Sequence, residues 1–239
     1  MANHSKLYLA PHVRACHVDG QVILLDLRRN KYLGVGGSHL HLLANAVAGW
    51  PTCTGADHSP AQTADLEAVT GPLLSQGLLT HQPWASGVDA TVEAAVGTLD
   101  TDDAIPDATV GTRRVSRFLQ TAIATSVSLR CRSLLSITLA VAARRMRLER
   151  IARVEAPHAL RQAVASYAKM RPLVFTSRDE CLYDSLALIN FLAREGMFPR
   201  WVIGVGARPF RAHSWVQSAG IVLNDQPEHV RKFCPILVV

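Results

Sequence analysis

Residues 181–196 read CLYDSLALINFLAREG, and residues 201–225 read WVIGVGARPFRAHSWVQSAGIVLND. In the first stretch, apolar residues recur at the three- and four-residue spacing of one helix face, and the final glycine is a typical helix stop. The second stretch contains three β-rich runs, which predict strands over 201–205, 213–217 and 221–225. One helix followed by three strands is therefore expected in this part of the chain.

Cys181 stands at the beginning of the predicted helix. Ser177-Arg178-Asp179-Glu180 has the pattern of a capping box, in which Ser177 is the N-cap and Glu180 reaches back to it. The unpaired N–H groups and the dipole of a helix N-terminus stabilise a thiolate, so we expect the pKa of this thiol to be lowered. A single cysteine is more commonly a small core residue, so position alone does not establish a nucleophile.

The loop between the last two predicted strands places a histidine beside an acid. Ser218-Ala219-Gly220 is predicted as a three-residue loop, whose glycine can adopt the positive φ that such hairpins need. Gln217 then pairs with Ile221, and His213 lies directly opposite Asp225. Directly opposed side chains have Cβ atoms about 4.5–5.5 Å apart, which is close enough for an imidazole–carboxylate hydrogen bond.

A cysteine, a histidine and an aspartate in this order point to nucleophilic catalysis. A thiolate nucleophile needs a base, and the base needs a third group that fixes its tautomer. Taken singly, His213 is more often a core or surface residue and Asp225 a turn former. Together with Cys181 they form a candidate triad, which would act through a thioester in either a hydrolase or an acyltransferase.

The N-terminal part has the pattern of a small α+β module. Strand patterns at 13–18 and 21–27 flank Asp19-Gly20, which is a strong signal for a two-residue hairpin. A third strand is predicted over 32–35. Three short helices follow, and Gly77 stops the last of them.

The charge distribution divides the 239-residue chain into three predicted segments. Residues 1–82, the predicted recognition domain, carry five basic and five acidic residues, whereas 83–112, the predicted linker, carry six acids and no base. Residues 113–239 form the predicted catalytic domain, which begins with a helical stretch over 113–153 carrying ten arginines and one glutamate. A charge run is usually a solvated helix face, so nucleic-acid binding ranks low despite the net charge of +6.

Composition argues against several other classes of protein. The five cysteines are scattered without a CxxC pair, which disfavours a disulfide framework and a zinc site. Apart from His213, none of the histidines, His229 included, has a ligand spacing, and we expect no metal. The N-terminus lacks a signal-peptide pattern, and the longest apolar run is about half of the roughly 20 residues that span a bilayer. The expectation is a cytoplasmic protein that binds neither membrane nor nucleic acid.

The two quoted stretches resemble the leader peptidases of lasso-peptide biosynthesis, called B proteins, which are transglutaminase-like, papain-like cysteine proteases. The resemblance is close over 160–239 and looser over the arginine-rich helices before it. It implies that Cys181 is the nucleophile, His213 the base and Asp225 the orienting acid. No cofactor is implied. In some relatives the peptidase and the recognition element are separate proteins, whereas this chain resembles a fusion of both.

The N-terminal stretch LDLRRNKYLGV, at 25–35, resembles the winged-helix-like element that recognises precursors in the same pathways. The resemblance implies that the leader of a ribosomally made precursor adds as a strand beside 32–35 and packs on the third helix. A separate ATP-dependent cyclase is the implied partner. The candidate leader-binding residues, for each of which plain core packing is the alternative, are Tyr32, Leu33, Val35, Val69 and Leu73.

Three other functions stay open at this level. The chain could be a transglutaminase-like acyltransferase that uses an amine in place of water. It could be a leader-binding scaffold that no longer turns over. It could also be a winged-helix nucleic-acid binder without catalysis, although the formal charge of the winged domain is zero.

Overall fold

The structure is a computed structural model that describes residues 6–51, 63–84, 91–99, 111–149, 157–174 and 180–239. It divides into two compact units, residues 1–89 with 205–211 and residues 90–204 with 212–239. The architecture is mixed α+β, as the sequence predicts. Of the predicted features, Ser177 and most of the acidic segment lie outside the described residues.

In its described part, the first unit contains one antiparallel sheet, one mixed sheet and two helices. The meander predicted from the sequence is present, and its first turn has Asp19 and Gly20 at φ of 50° and 73°. Both dihedrals are those of a two-residue hairpin turn, so this prediction is confirmed. The elements in chain order are β1 (Leu7–Leu9), β2 (Val13–Val18), β3 (Gln21–Asp26), β4 (Lys31–Gly36), α1 (His39–Ala46), β5 (Val47–Ala48), α2 (Thr63–Ser75) and β6 (Leu79–Thr80).

The described part of residues 1–89 has six strands where three were predicted, and it has two helices, with 52–62 outside the described residues. Pro72 lies inside α2, so the helix continues through it as predicted, and Gly77 follows the helix end with a φ of 72°. The short strands β1, β5 and β6 form an additional sheet in the order β5-β1-β6. Two- and three-residue strands carry too little periodicity to be recognised in a sequence.

The core of the first unit lies between the meander and the helices. Val22 and Leu24 of β3 pack in one cluster with Val35 of β4, Leu43 of α1 and Leu73 of α2. In the meander, β3 is central and β4 forms an edge, in the order β2-β3-β4. The edge strand is therefore the one that the sequence predicts to bind a leader.

The second unit contains helices and most of a five-stranded sheet, two strands of which include residues of 205–211, a segment that belongs to the first unit. Its elements in chain order are β7 (Gly97–Thr98), α3 (Thr112–Cys131), α4 (Leu134–Glu149), α5 (Pro157–Met170), a 3₁₀ turn (Arg171–Leu173), α6 (Cys181–Arg194), β8 (Arg200–Ala207), β9 (Phe210–Ser218), β10 (Ile221–Val222), α7 (Pro227–Val230) and β11 (Cys234–Val238). The strand order is β11-β8-β9-β10-β7. The arginine-rich stretch is thus two helices, because the chain becomes extended at Arg132.

Part of the predicted acidic linker belongs to this sheet. β7 pairs in parallel with β10, with Gly97 beside Ile221 and Thr98 beside Val222. Ala95 is buried in the same core as Trp215. The segment 91–99 is therefore integrated into the second unit.

Aromatic side chains join the helices around α6. Phe191 of α6 lies 6.4 Å from the ring of Phe118 on α3 and 5.7 Å from that of Tyr167 on α5. Beneath the sheet, a Cβ added at Gly204 would lie 2.8 Å from the indole of Trp215, so only glycine permits this close approach. Among the described helices, none is long and apolar enough to cross a membrane.

Candidate active site

The thiol of Cys181 lies at the first residue of α6. Glu180 is the N-cap, and its side chain makes no capping hydrogen bond, so the predicted capping box with Glu180 in the first turn is wrong. The helix begins at Cys181, three residues later than the predicted capping box would place it, and Cys181 lies in its first turn as predicted. Backbone N–H groups of Leu182 and Ser214 hydrogen-bond to the sulfur, as does the side chain of His213.

His213 and Asp225 are in direct contact, as the sequence predicts. Nε2 of His213 lies 2.5 Å from Oδ2 of Asp225. This leaves Nδ1 as the ring nitrogen for the hydrogen bond with the Cys181 sulfur. The imidazole packs between the rings of Trp215, 6.1 Å away and nearly parallel, and Phe233, 5.1 Å away.

The strand register that led to this pair is nevertheless wrong. Val222 pairs with Gln217 and Ile221 with Ser218, one position away from the predicted register. The loop consists of Ala219 and Gly220 alone, with φ of 47° and 77°. In this register a continued ladder would set Asp225 opposite Ser214, on the other face of the strand from His213.

The β9–β10 ladder ends before Asp225 because the side chain of Asn224 accepts a backbone hydrogen bond from β9. β10 ends at Val222, and the N–H of Val216 donates to Oδ1 of Asn224 at 2.8 Å. The same side chain donates through Nδ2 to Oδ2 of Asp184 on α6 at 3.0 Å. The chain therefore leaves the sheet before Asp225, which reaches His213 from beyond the strand end.

Asp184 is a buried residue next to the site, with 6% of its surface exposed, and it binds several neighbouring side chains. Its other oxygen accepts the hydroxyl of Tyr167 at 3.1 Å and lies 3.3 Å from Nε of Arg171. Burial, followed by the charge of Asp184, raises the pKa of the Tyr167 hydroxyl. The sequence named Asp184 only as an alternative acid for His213 and did not predict its contact with Asn224, because the two residues are 40 positions apart.

The electrostatics favour a thiolate–imidazolium pair. Burial raises the pKa of Cys181, but the hydrogen bond and charge of His213 outweigh it, so the net pKa is lowered. Burial lowers the pKa of His213, but hydrogen bonds to Asp225 and Cys181 raise it to about 9. Burial likewise opposes ionisation of Asp225, yet the hydrogen bonds from His213 and from the N–H of Gln226 lower its pKa to about 2.

His229 also belongs to the site, contrary to the sequence analysis. Its Nδ1 lies 2.8 Å from the same Oδ2 of Asp225 that binds His213. The i, i+4 spacing of Asp225 and His229 around Pro227, at the start of α7, is the signal that could have identified it.

His213, Asp225 and His229 were examined as metal ligands, because their ligand atoms lie within 4.8 Å of one another. Ligands of a tetrahedral ion with bonds of about 2.0–2.1 Å are separated by about 3.3 Å. The separations of 2.5 Å and 2.8 Å from Oδ2 of Asp225 are shorter than this and have hydrogen-bond lengths. The three side chains are therefore arranged for hydrogen bonding.

The candidate triad opens into a cavity of about 470 Å³. Ligand sites commonly have volumes of this order. Cys181, His213, Asp225 and His229 line it together with the charged side chains of Arg171 and Glu180. A substrate carbonyl can therefore approach the sulfur from this cavity.

A family model described as the transglutaminase-like superfamily matches residues 109–238, more than half of the chain. The chain belongs to the transglutaminase-like superfamily. The matched region contains α6 with Cys181, β9 with His213 and the segment after β10 with Asp225. Members with a thiol at a helix start can act as hydrolases or acyltransferases, since both use a thioester.

The transglutaminase-like chain is also similar to the microcin J25-processing protein McjB of Escherichia coli. Over 50 residues the two are 42% identical. The match covers 21% of this chain and 24% of McjB, so it spans about a quarter of that relative. No solved structure matches the chain.

The candidate leader-binding residues of this transglutaminase-like protein differ in exposure. Val35 and Leu73 are 7% and 6% exposed and belong to the core of the first unit, and Val69 packs against them. Leu33 is 38% exposed on the edge strand β4. Tyr32 is half-buried, with its ring 5.2 Å from that of Phe210.

Proposed function

We propose that the protein is a cysteine peptidase that binds the leader of a ribosomally made lasso-peptide precursor and cleaves it at the leader–core junction. The observation that carries the proposal is the contact of His213 with both Asp225 and Cys181 at the N-terminus of α6. The similarity to a microcin-processing protein supports a peptide precursor as the substrate.

In the acylation step, the Cys181 thiolate attacks the carbonyl carbon of the scissile peptide bond. The protonated His213 donates its proton to the departing amine, which becomes the N-terminus of the core peptide, and the leader stays attached as a thioester. Asp225 holds the imidazole in orientation and stabilises its positive charge. The backbone N–H near Cys181 at the start of α6 is proposed to stabilise the developing oxyanion.

In the deacylation step, neutral His213 removes a proton from water, which attacks the thioester and releases the leader. An amine in place of water would give acyl transfer, which is the second candidate function because the chain belongs to the transglutaminase-like superfamily. Adding hydroxylamine distinguishes the two. A true transferase would convert most of the leader to the hydroxamate, whereas a hydrolase would give chiefly the carboxylate.

Leader recognition is proposed to occur at β4. This strand forms the edge of its sheet, and an extended peptide can add there through backbone hydrogen bonds. The exposed Leu33 offers an apolar contact, whereas Val35 and Leu73, being buried, would act by supporting the strand. The core released by cleavage is proposed to pass to a separate ATP-dependent cyclase for macrolactam formation.

The decisive experiment incubates the purified chain with a candidate precursor peptide and analyses the products by mass spectrometry. Cys181→Ala should abolish cleavage, because it removes the proposed nucleophile. Cys131→Ala is the matched control, since Cys131 is free and exposed, and this variant should keep full activity. Cleavage by Cys181→Ala would overturn the proposal.

Binding is tested separately by fluorescence anisotropy with labelled leader. Leu33→Asp should weaken binding at least several-fold, whereas Leu139→Asp, at a residue 60% exposed on α4, should not. Cys181→Ala should keep leader affinity within a few-fold. Unchanged binding in Leu33→Asp would argue against recognition at β4.

A further inference from the structure

The Asp225 carboxylate is held by more donors than a two-residue His–Asp contact requires. Oδ1 accepts the N–H of Gln226 at 2.7 Å, while Oδ2 is shared between Nε2 of His213 at 2.5 Å and Nδ1 of His229 at 2.8 Å. The backbone carbonyl of Asp225 accepts the Thr98 hydroxyl at 3.2 Å. Of these, the only side chain besides His213 that binds the carboxylate in the described residues is His229.

His229 is fixed relative to the site by more than this one hydrogen bond. It lies on α7, whose first residue, Pro227, is buried. Its ring lies 4.6 Å from that of His213 and meets Phe233 nearly edge-on at 5.5 Å. The side chain of His229 is 43% exposed, so it lies between the His213 ring and solvent.

We propose that His229 is a positioning residue, which donates a hydrogen bond from Nδ1 to Asp225 and so fixes the carboxylate that orients His213. Its effect on leader cleavage rests on the proposed function, but its effect on the thiol does not. The N–H of Gln226 binds Oδ1, and His229 binds Oδ2, so two groups other than His213 hold the two oxygens of the carboxylate. The bond from His229 acts on the oxygen that His213 uses.

Loss of this bond has two consequences. Asp225 would stabilise the positive charge of His213 less well, so the pKa of the Cys181 thiol would rise toward its ordinary value. The imidazole would also be less often aligned with the scissile bond, which lowers kcat and leaves KM unchanged, because His229 holds the base and not the leader.

The test compares His229→Leu with His229→Asn in the full-length protein. Leucine retains apolar contact with Phe233 but has no donor, whereas the amide of asparagine can reach the position of Nδ1. The probe is iodoacetamide, and the readout is the pH profile of alkylation on the peptide containing Cys181, followed by mass spectrometry. Glu228→Leu, on the exposed side of the same helix, is the matched control.

We expect the alkylation midpoint to move to higher pH by about half to one unit in His229→Leu, which is a roughly three- to tenfold fall in thiolate at pH below the midpoint. His229→Asn should restore most of the wild-type profile, and Glu228→Leu should not change it. With precursor, kcat should fall about tenfold in the leucine variant only, less than the loss on removing an orienting acid.

Two results would overturn the proposal. One is an unchanged alkylation profile in His229→Leu. The other is an equal shift in both variants, which would mean that ring packing matters and the hydrogen bond does not. Failure of the wild-type protein to cleave the precursor would instead count against the proposed function, since the alkylation profile needs no substrate.

Discussion

Each unit of the molecule contains a histidine next to an aspartate, and the pKa values of the two histidines shift in opposite directions. In the first unit, Nε2 of His12 lies 3.8 Å from Oδ1 of Asp26. In the second, Nε2 of His213 lies 2.5 Å from Oδ2 of Asp225. The pKa of His12 is lowered, whereas that of His213 is raised to about 9.

The difference arises from what else each carboxylate binds. Oδ1 of Asp26 accepts the N–H groups of Arg28 at 2.8 Å and Arg29 at 3.3 Å, so this oxygen is committed to the turn after β3. Burial and then the positive charge of Arg28 outweigh the attraction of Asp26, and His12 is held neutral. A histidine beside an aspartate is therefore a catalytic candidate only where the two side chains are within hydrogen-bond distance and a third group gains from the positive charge.

The largest expected effect on the cleavage rate comes from substituting the aspartate of the second pair. Asp225→Ala should lower precursor cleavage by about 10²–10⁴-fold, by analogy with the orienting acid of a serine triad. Asp26→Ala should leave the alkylation rate of Cys181 unchanged and lower the melting temperature instead, because it removes the acceptor of the turn. Cleavage rates and circular dichroism distinguish the two effects. Equal catalytic losses in both variants would remove the distinction between the pairs.

The pH dependence of the second pair follows from its shifted pKa values. Cleavage needs protonated His213 and ionised Cys181, so it should fall about tenfold per pH unit above about 9. It should also fall on the acid side, below the lowered pKa of Cys181. Alkylation needs only the thiolate and should not fall above pH 9. A cleavage profile that follows alkylation at all pH values would exclude His213 as the acid.

The pH dependence of stability should have opposite signs in the two pairs. His12, whose folded pKa is lowered, stabilises the first unit above its unfolded pKa of about 6.5, and this contribution is lost as pH falls below that value. Nδ1 of His12 is buried without a hydrogen-bond partner among the described residues, which adds to the penalty for a second proton. The raised pKa of His213 instead gives stability that is lost as pH rises from about 6.5 through about 9.

Hydrogen exchange in the full chain measures the first of these signs locally. Between pH 7 and 5, after correction for intrinsic rates, protection of 22–27 should fall by about 1.4 kcal/mol for each unit by which the pKa of His12 is lowered. His12→Asn should remove that dependence. If the variant and the wild type lost protection equally, His12 would not be the titrating group.

The smallest expected effect is the loss of stability when alanine replaces glycine in either hairpin turn. Gly20 has a φ of 73° and nothing within 4 Å of an added Cβ, whereas Gly220, at 77°, would place that atom 3.0 Å from the Val96 side chain and 3.2 Å from the carbonyl of Ala94. Gly20→Ala should cost about 1–2 kcal/mol for the left-handed backbone alone. Gly220→Ala should cost more, measured as a larger fall in melting temperature. Equal costs would show that 94–96 yields to the added methyl group.

The sequence alone determined those features of the protein that depend on near neighbours in the chain. The helix whose first turn carries Cys181, the strand that carries His213 and the Asp19-Gly20 hairpin follow from helix periodicity, strand alternation and turn chemistry, all of which extend over a few residues. The residue types around Cys181 and His213 also carry the family resemblance. The residues of the proposed triad could therefore be named from the sequence.

Only the tertiary structure decided how Asp225 meets His213. The contact depends on where the β9–β10 ladder stops, and Asn224 stops it through a bond to Asp184, 40 positions earlier on α6. The role of His229 and the burial of Val35 and Leu73 likewise depend on packing between elements. Such contacts cannot be read from local pattern, because periodicity reports which face of an element is apolar and does not report what that face meets.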